Sequence, residues 1–206
     1  MGGEVSLTQE IRCPKLLVVE GKDEELFFSA LCQHLGLNDI QVLPIGGKTQ
    51  LRRNLDGLTK VTGFSEVKAL GIIRDADNDP KAAFQSVCSA LGSVGLPVPD
   101  QPLVPACGHP CVCVMILPDS QSTGALEDVC LRTIHGTPTM QCVNQLFCCL
   151  QQQGLPLPNN LSKAKVMAYL ACQAEPDKRL GESAQAGYWD WNHPAFEDLK
   201  NFLRRL

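Results

Sequence analysis

KALGIIRDAD, residues 68–77, decides the fold of this chain. Between Lys68 and Arg74 every residue is apolar, and a short apolar run of this kind marks a strand buried on both faces of a parallel sheet. The run breaks directly into Asp75, Ala76 and Asp77, so two carboxylates stand where the strand ends.

The same pattern recurs upstream and downstream. KLLVVE, residues 15–20, is an apolar strand closed by Glu20, and Gly21 breaks it. Residues 23–35 read as a helix, with Leu26, Phe27, Ala30, Leu31 and Leu35 on one face and Gly36 closing it. IQVLPI, residues 40–45, is a second strand followed by Gly46 and Gly47, and residues 48–60 fit a helix with Leu51, Leu55 and Leu58 aligned. After Asp77, Asp79 is an N-cap candidate, and Pro80 opens a helix that runs to about Leu91. The order βαβαβα predicts a parallel sheet with helices on its faces.

A Pro- and Gly-rich loop covers about 93–110. CVCVMIL, residues 111–117, is a fourth strand, and Gly124 to Leu131 begins another helix. From about 138 the pattern turns helical, with candidates at 140–152, 161–173 (Ser162 as its cap) and 195–205. The expected organisation is an N-terminal arm at 1–14, an α/β domain at 15–137, and a helical extension at 138–206 packed on that domain.

Composition narrows the function. The 206 residues carry 18 Lys and Arg against 22 Asp and Glu, a net charge of −4, which excludes a globally basic nucleic-acid clamp. No apolar stretch approaches the roughly 20 residues of a membrane span, and the N-terminus lacks the apolar core of a signal peptide. MGGEVS matches the loose N-myristoylation pattern, a short match that is set aside. Eleven cysteines without an export signal read as free thiols in a reducing cytoplasm.

Ligand sites in open parallel sheets form outside the carboxyl ends of the strands. Glu20, Asp75, Asp77 and Glu127 all fall there, and Glu24 lies one turn into the first helix. Asp75 and Asp77, spaced i, i+2, can turn oxygens toward one hard cation. Crowded carboxylates repel one another; a Mg²⁺ or Mn²⁺ ion relieves that repulsion and polarises a phosphate. A single acid at a strand end is usually a helix cap or a solvated loop residue; acids after three of four strands favour a shared metal site. Gly21, Gly47, Lys48 and Arg74 lie at the same strand ends and are the expected phosphate contacts.

These residues resemble a known family. LVVEG, residues 17–21, and GIIRDAD, residues 71–77, resemble the Toprim domain of topoisomerases, primases and the overcoming-lysogenization-defect nucleases. The fit covers about residues 15–135, and EGKDE at 20–24 with the later Leu126 and Glu127 looks closest to the nuclease branch. More closely still, the chain resembles a family of short, standalone Toprim-like proteins of unknown function. They share the strand-end Glu, the RDAD stretch, LPD at 117–119, GALE at 124–127 and a helical tail ending near HPAF at 193–196.

The resemblance implies a Toprim-like α/β fold with a mostly parallel four-stranded sheet. It implies Glu20 as general acid/base, Asp75 and Asp77 as metal ligands with Glu24 and Glu127 added, and Lys165 (or Lys163) neutralising a phosphate or a leaving oxygen. The expected activity is divalent-metal-dependent phosphodiester cleavage of DNA or RNA. The other reading is a binding module that recognises a nucleotide or nucleic acid, with a protein partner supplying further activities. The chain departs from the topoisomerase pattern: Tyr169 and Tyr188 are its only tyrosines, and Tyr169 reads as a packing residue of a helix.

Three motifs are weaker. PIGGKT, residues 44–49, lacks the first glycine of a phosphate-binding P-loop, since Val42 stands there. Cys107, His109, Cys111 and Cys113 are four possible zinc ligands in seven residues, yet structural zinc sites usually pair ligands on separate knuckles, so strand thiols are preferred. Trp189, Trp191 and His193 could stack on a base; pinning the last helix to the domain is the favoured reading.

Overall fold

The structure is a computed structural model that describes residues 10–47 and 50–206. Four strands, β1 (Lys15–Val19), β2 (Ile40–Pro44), β3 (Ala69–Asp75) and β4 (Cys111–Leu117), form one sheet in the order β2-β1-β3-β4. All three pairings are parallel. Between the strands run α1 (Lys22–Leu35), α2 (Leu51–Thr59) and α3 (Pro80–Ser93), and after β4 come α4 (Leu126–Ile134), α5 (Pro138–Gln152), α6 (Leu161–Leu170), α7 (Leu180–Gln185) and α8 (Glu197–Arg205).

Side chains of a strand alternate between its faces, and that alternation builds two cores. Leu17, Val19, Ile73, Met115 and Leu117 join Phe27, Phe28 and Leu31 of α1 and the apolar faces of α4 to α8. Leu16, Val18, Leu70, Ile72, Val112, Val114 and Ile116 join Leu55 and Leu58 of α2 and Val87 and Leu91 of α3 on the opposite face. Phe27, Phe28, Leu55 and Leu91 are fully buried, each contributing on the order of 1.5–3 kcal/mol. The helices after β4 share one continuous core with the sheet and α1.

The strand order places a switch point between β1 and β3. The chain leaves β1 for α1 on one face and leaves β3 for α3 on the other. A crevice opens where successive connections diverge to opposite faces, beyond the carboxyl ends of those two strands.

Local signals explain most boundaries. Gly36 takes the left-handed conformation, φ 70°, and its amide donates to Gln33 O. Asp79 Oδ1 accepts from Ala82 N at 3.0 Å, capping α3. Ser162 does not cap α6: Asn160 Oδ1 accepts from Lys163 N at 2.8 Å, while the Ser162 hydroxyl donates to Asp128 Oδ1 at 2.6 Å. Helix α7 has six residues, too few for an apolar period to announce it.

Gly71 has a packing reason. A Cβ there would lie 2.7 Å from Leu206 Cδ1, so the bare backbone in mid-β3 receives the Leu206 side chain. The tail is pinned from a second side: Trp189 Nε1 donates to Ser183 Oγ at 2.9 Å, and Trp191 meets Phe27 edge-on at a centroid distance of 5.1 Å. Both tryptophans are buried, which removes them from base stacking.

Candidate metal centre

Strand register fixes the first contact. Val18 pairs with Ile72, and continuing that register two residues sets Glu20 opposite Arg74. Both point to the α2–α3 face, the one that Val18 and Ile72 share. Arg74 Nε lies 3.3 Å from Glu20 Oε1. The contact is a charge pair without hydrogen-bond alignment, for both atoms are buried and neither has a hydrogen-bond partner. Arg74 is 3% exposed, so it serves Glu20 first. The loop after β2 closes over this pair: Gly46 N donates to Glu20 O at 2.8 Å, and a Cβ on Gly47 would lie 3.8 Å from Glu20 Oε2.

Asp75 has the opposite parity and points to the other face, toward the N-termini of α1 and α4. Ala125, the residue before α4, has no side-chain acceptor, and Asp75 supplies one from β3: its Oδ1 accepts from Leu126 N at 3.1 Å. Glu24 sits in the first turn of α1, its carboxylate lying back over Gly21, where a Cβ would stand 2.9 Å from Glu24 Oε2. Glu127, in the first turn of α4, is largely buried, and Lys163 Nζ approaches its Oε1 at 3.6 Å.

These carboxylates feel one another. Burial first, then the Glu20, Glu127 and Glu24 charges, push the Asp75 carboxyl up to about 8, against the Leu126 amide that holds it down. Burial raises the Glu20 carboxyl, Arg74 opposes the rise, and Glu24 and Asp77 add to it. Burial raises Glu24 as well; its own amide opposes this, and Glu127 and Asp23 reinforce it. A nest of hard oxygen donors in which negative charge is this unwelcome fits a divalent cation in chemistry and charge.

Asp77 takes a different position. Its backbone is left-handed, φ 51°, and is bridged to Gly124 by two hydrogen bonds of 3.0 and 2.9 Å. The turn leaves its side chain exposed at the margin, near Glu20. The i, i+2 spacing therefore does not aim both aspartates at one point, because the strand ends at Asp75 and the chain reverses hand at Asp77. Among the described residues, no three His, Cys, Asp or Glu side chains are close enough to hold one ion as they stand.

A cleft of about 690 Å³ opens beside Glu24 and Glu127, walled by α1, α4, α6 and α7. Lys163 and Arg179 stand on it, with Leu26, Met167 and Leu180 as apolar lining. Lys165, two residues around α6 from Lys163, is not among the residues lining this cleft. Lys48 lies outside the described residues, as do residues 1–9 of the N-terminal arm. Two further residues stand at this site, Asp128 and Arg179. Asp128, whose Oδ2 accepts from Ala125 N at 2.8 Å, carried the signal of an acid in a helix's first turn; Arg179 carried none. All cysteines among the described residues are free.

Comparison with known proteins agrees with this architecture. The C-terminal region of the Xanthomonas campestris pv. campestris OLD protein, phased with platinum, is similar with a TM-score of 0.51 at 14% identity, covering 93% of this chain and 91% of that one. The iodine-phased structure of the same region gives 0.47 at 13% identity, over 94% and 95% of the two chains. No curated protein sequence matches. The fold is thus α/β and Toprim-like, with all four strands parallel. The family model described as "Protein of unknown function (DUF3226)" matches residues 14–206, and the chain belongs to that family.

Proposed function

We propose that this chain performs Toprim-type phosphotransfer, with cleavage of nucleic-acid phosphodiesters as the reaction. One observation carries the reading: Asp75, at the switch point, has its carboxyl pushed up to about 8 by burial and by Glu20, Glu127 and Glu24. A purely structural helix cap does not need three further carboxylates around it.

In this reading Asp75, Glu24 and Glu127 hold a divalent cation, with Asp77 at its margin. Mg²⁺ or Mn²⁺ bound there supplies positive charge to the phosphate oxygens. Glu20 is the proton carrier: burial raises its carboxyl, and Arg74 opposes that rise, which suits a group that both takes and gives a proton. Arg74 fixes the Glu20 carboxylate from the α2–α3 side. Lys163 and Arg179 offer cationic contacts for phosphate on the cleft wall, and Lys163 suits the role expected of Lys165 better, since it reaches Glu127 at 3.6 Å. The test is incubation with supercoiled plasmid and with single-stranded RNA in Mg²⁺ or Mn²⁺, beside Glu20→Gln and Asp75→Asn. Metal-dependent cleavage lost in both variants is the expected result; cleavage that persists in Asp75→Asn contradicts it.

The second reading is a binding module for a nucleotide or nucleic acid that acts with a protein partner. The cleft favours it: about 690 Å³ with Lys163 and Arg179 on its wall suits a ligand of nucleotide size rather than a duplex. Retention of a nucleoside triphosphate by the wild type, with no turnover of plasmid or RNA, selects this reading.

A further inference from the structure

We infer that Cys107 and Cys111 form a redox-active dithiol pair at the edge of the sheet opposite the carboxylates, interchanging with a disulfide by exchange with small-molecule disulfides. The backbone makes the case. Ala106 and Val112 form an antiparallel bridge in which each amide donates to the other's carbonyl, at 2.8 and 3.0 Å. The next pair inward on such a ladder is 107 opposite 111, a pair without backbone hydrogen bonds. Pairs of that kind bring Cα atoms to about 4.5 Å, inside the range a disulfide spans. Burial first, and then the neighbouring Cys107 thiol, raise the Cys111 thiol. The hairpin between them is anchored, for His109 Nε2 lies 2.9 Å from Ser65 O. Cys107 is exposed and Cys111 half-buried, so an outside reagent meets Cys107 first. By contrast Cys148 and Cys149 are neighbours within α5, and successive side chains of a helix diverge.

The reaction balances with a disulfide such as oxidised glutathione as oxidant. The Cys107 thiolate attacks one sulfur of that disulfide, its S–S bond breaks, and one glutathione leaves and takes a proton. The Cys111 thiolate then attacks Cys107 Sγ, and the second glutathione leaves with the other proton. The protein loses two hydrogens and gains one S–S bond.

The experiment equilibrates the purified chain, folded and in concentrated urea, over a series of reduced-to-oxidised glutathione ratios. Acid quenching, alkylation and peptide mapping by mass spectrometry follow. At a given ratio, the folded protein is expected to hold the Cys107–Cys111 link at least about tenfold more than the unfolded chain, because the hairpin holds the thiols together. In Cys111→Ser, Cys107 is expected to stop as the mixed disulfide with glutathione. Equal linkage in folded and unfolded chains, linkage of either cysteine to another partner, or a Cys107 that stays unreacted in the folded protein overturns the inference.

Discussion

Arg74 Nε and Glu20 Oε1 stand 3.3 Å apart, facing each other across adjacent parallel strands. The pair is the register of β1 and β3 carried two residues past the last paired positions, Val18 and Ile72, so the sheet that makes the core also positions the residue proposed as the proton carrier. Removing one member leaves the other in a poor dielectric, which costs about 3 kcal/mol for a buried pair. Arg74→Ala is expected to lower the unfolding free energy at neutral pH by about that much. Loss of the guanidinium also raises the Glu20 carboxyl further, so the deficit narrows as pH falls and Glu20 becomes neutral. Urea unfolding of wild type and variant at neutral and acidic pH checks both points.

Asp75 gives the pH dependence. Its carboxyl is pushed from the usual 3.8 up to about 8, so the metal-free fold holds this proton more tightly than the unfolded chain does. The stability it contributes is full below pH ~4 and drains away as pH rises toward ~8, by at most about 1.4 kcal/mol per pH unit. Asp75→Asn keeps an oxygen for the Leu126 amide and removes the titration. The variant is expected to show a flatter stability profile across that window and to gain on the wild type at its alkaline end, as thermal melts over pH in a chelating buffer would record.

Gly21 leaves room for the Glu24 carboxylate. Its φ of −138° is extended backbone that any residue adopts, so Gly21→Ala is tolerated by the chain. The added Cβ, 2.9 Å from Glu24 Oε2, pushes the carboxylate away. Mn²⁺ affinity is expected to fall about tenfold, equivalent to about 1.4 kcal/mol, with a stability change under about 1 kcal/mol. Titration calorimetry and a thermal melt separate the two effects.

The strands, the helices on their faces and the placement of Glu20 and Asp75 were legible because buried parallel strands are continuous apolar runs and their ends are abrupt. Parity along a strand was equally available: Ile72 and Arg74 share one face, Ile73 and Asp75 the other, and that rule already sends Glu20 and Asp75 to opposite sides. The turn that swings Asp77 to the margin was not legible, since its left-handed backbone depends on the bridge to Gly124, a residue 47 positions away. Nor was Arg179, whose position rests on a helix too short to leave a period. Trp189 and Trp191 were legible as packing residues, from their place before a last amphipathic helix.

Gly71 offers a test of packing away from the site. Gly71→Val drives a side chain into Leu206, whose Cδ1 would lie 2.7 Å from the added Cβ, and overpacking of this kind costs about 1–3 kcal/mol. Leu206→Ala in the same chain is expected to recover part of that loss. A double-mutant cycle in urea that shows simple additivity would mean that the two residues do not touch in solution.

In the proposed mechanism the carboxylates of Asp75, Glu24 and Glu127 form one cation site. Isothermal titration of Mn²⁺ into wild type, Asp75→Asn and Glu127→Gln addresses it directly. Saturable binding by the wild type is expected, with a loss of at least about tenfold in each variant, about 1.4 kcal/mol or more. Binding of equal strength in all three proteins, or none in the wild type, would contradict it.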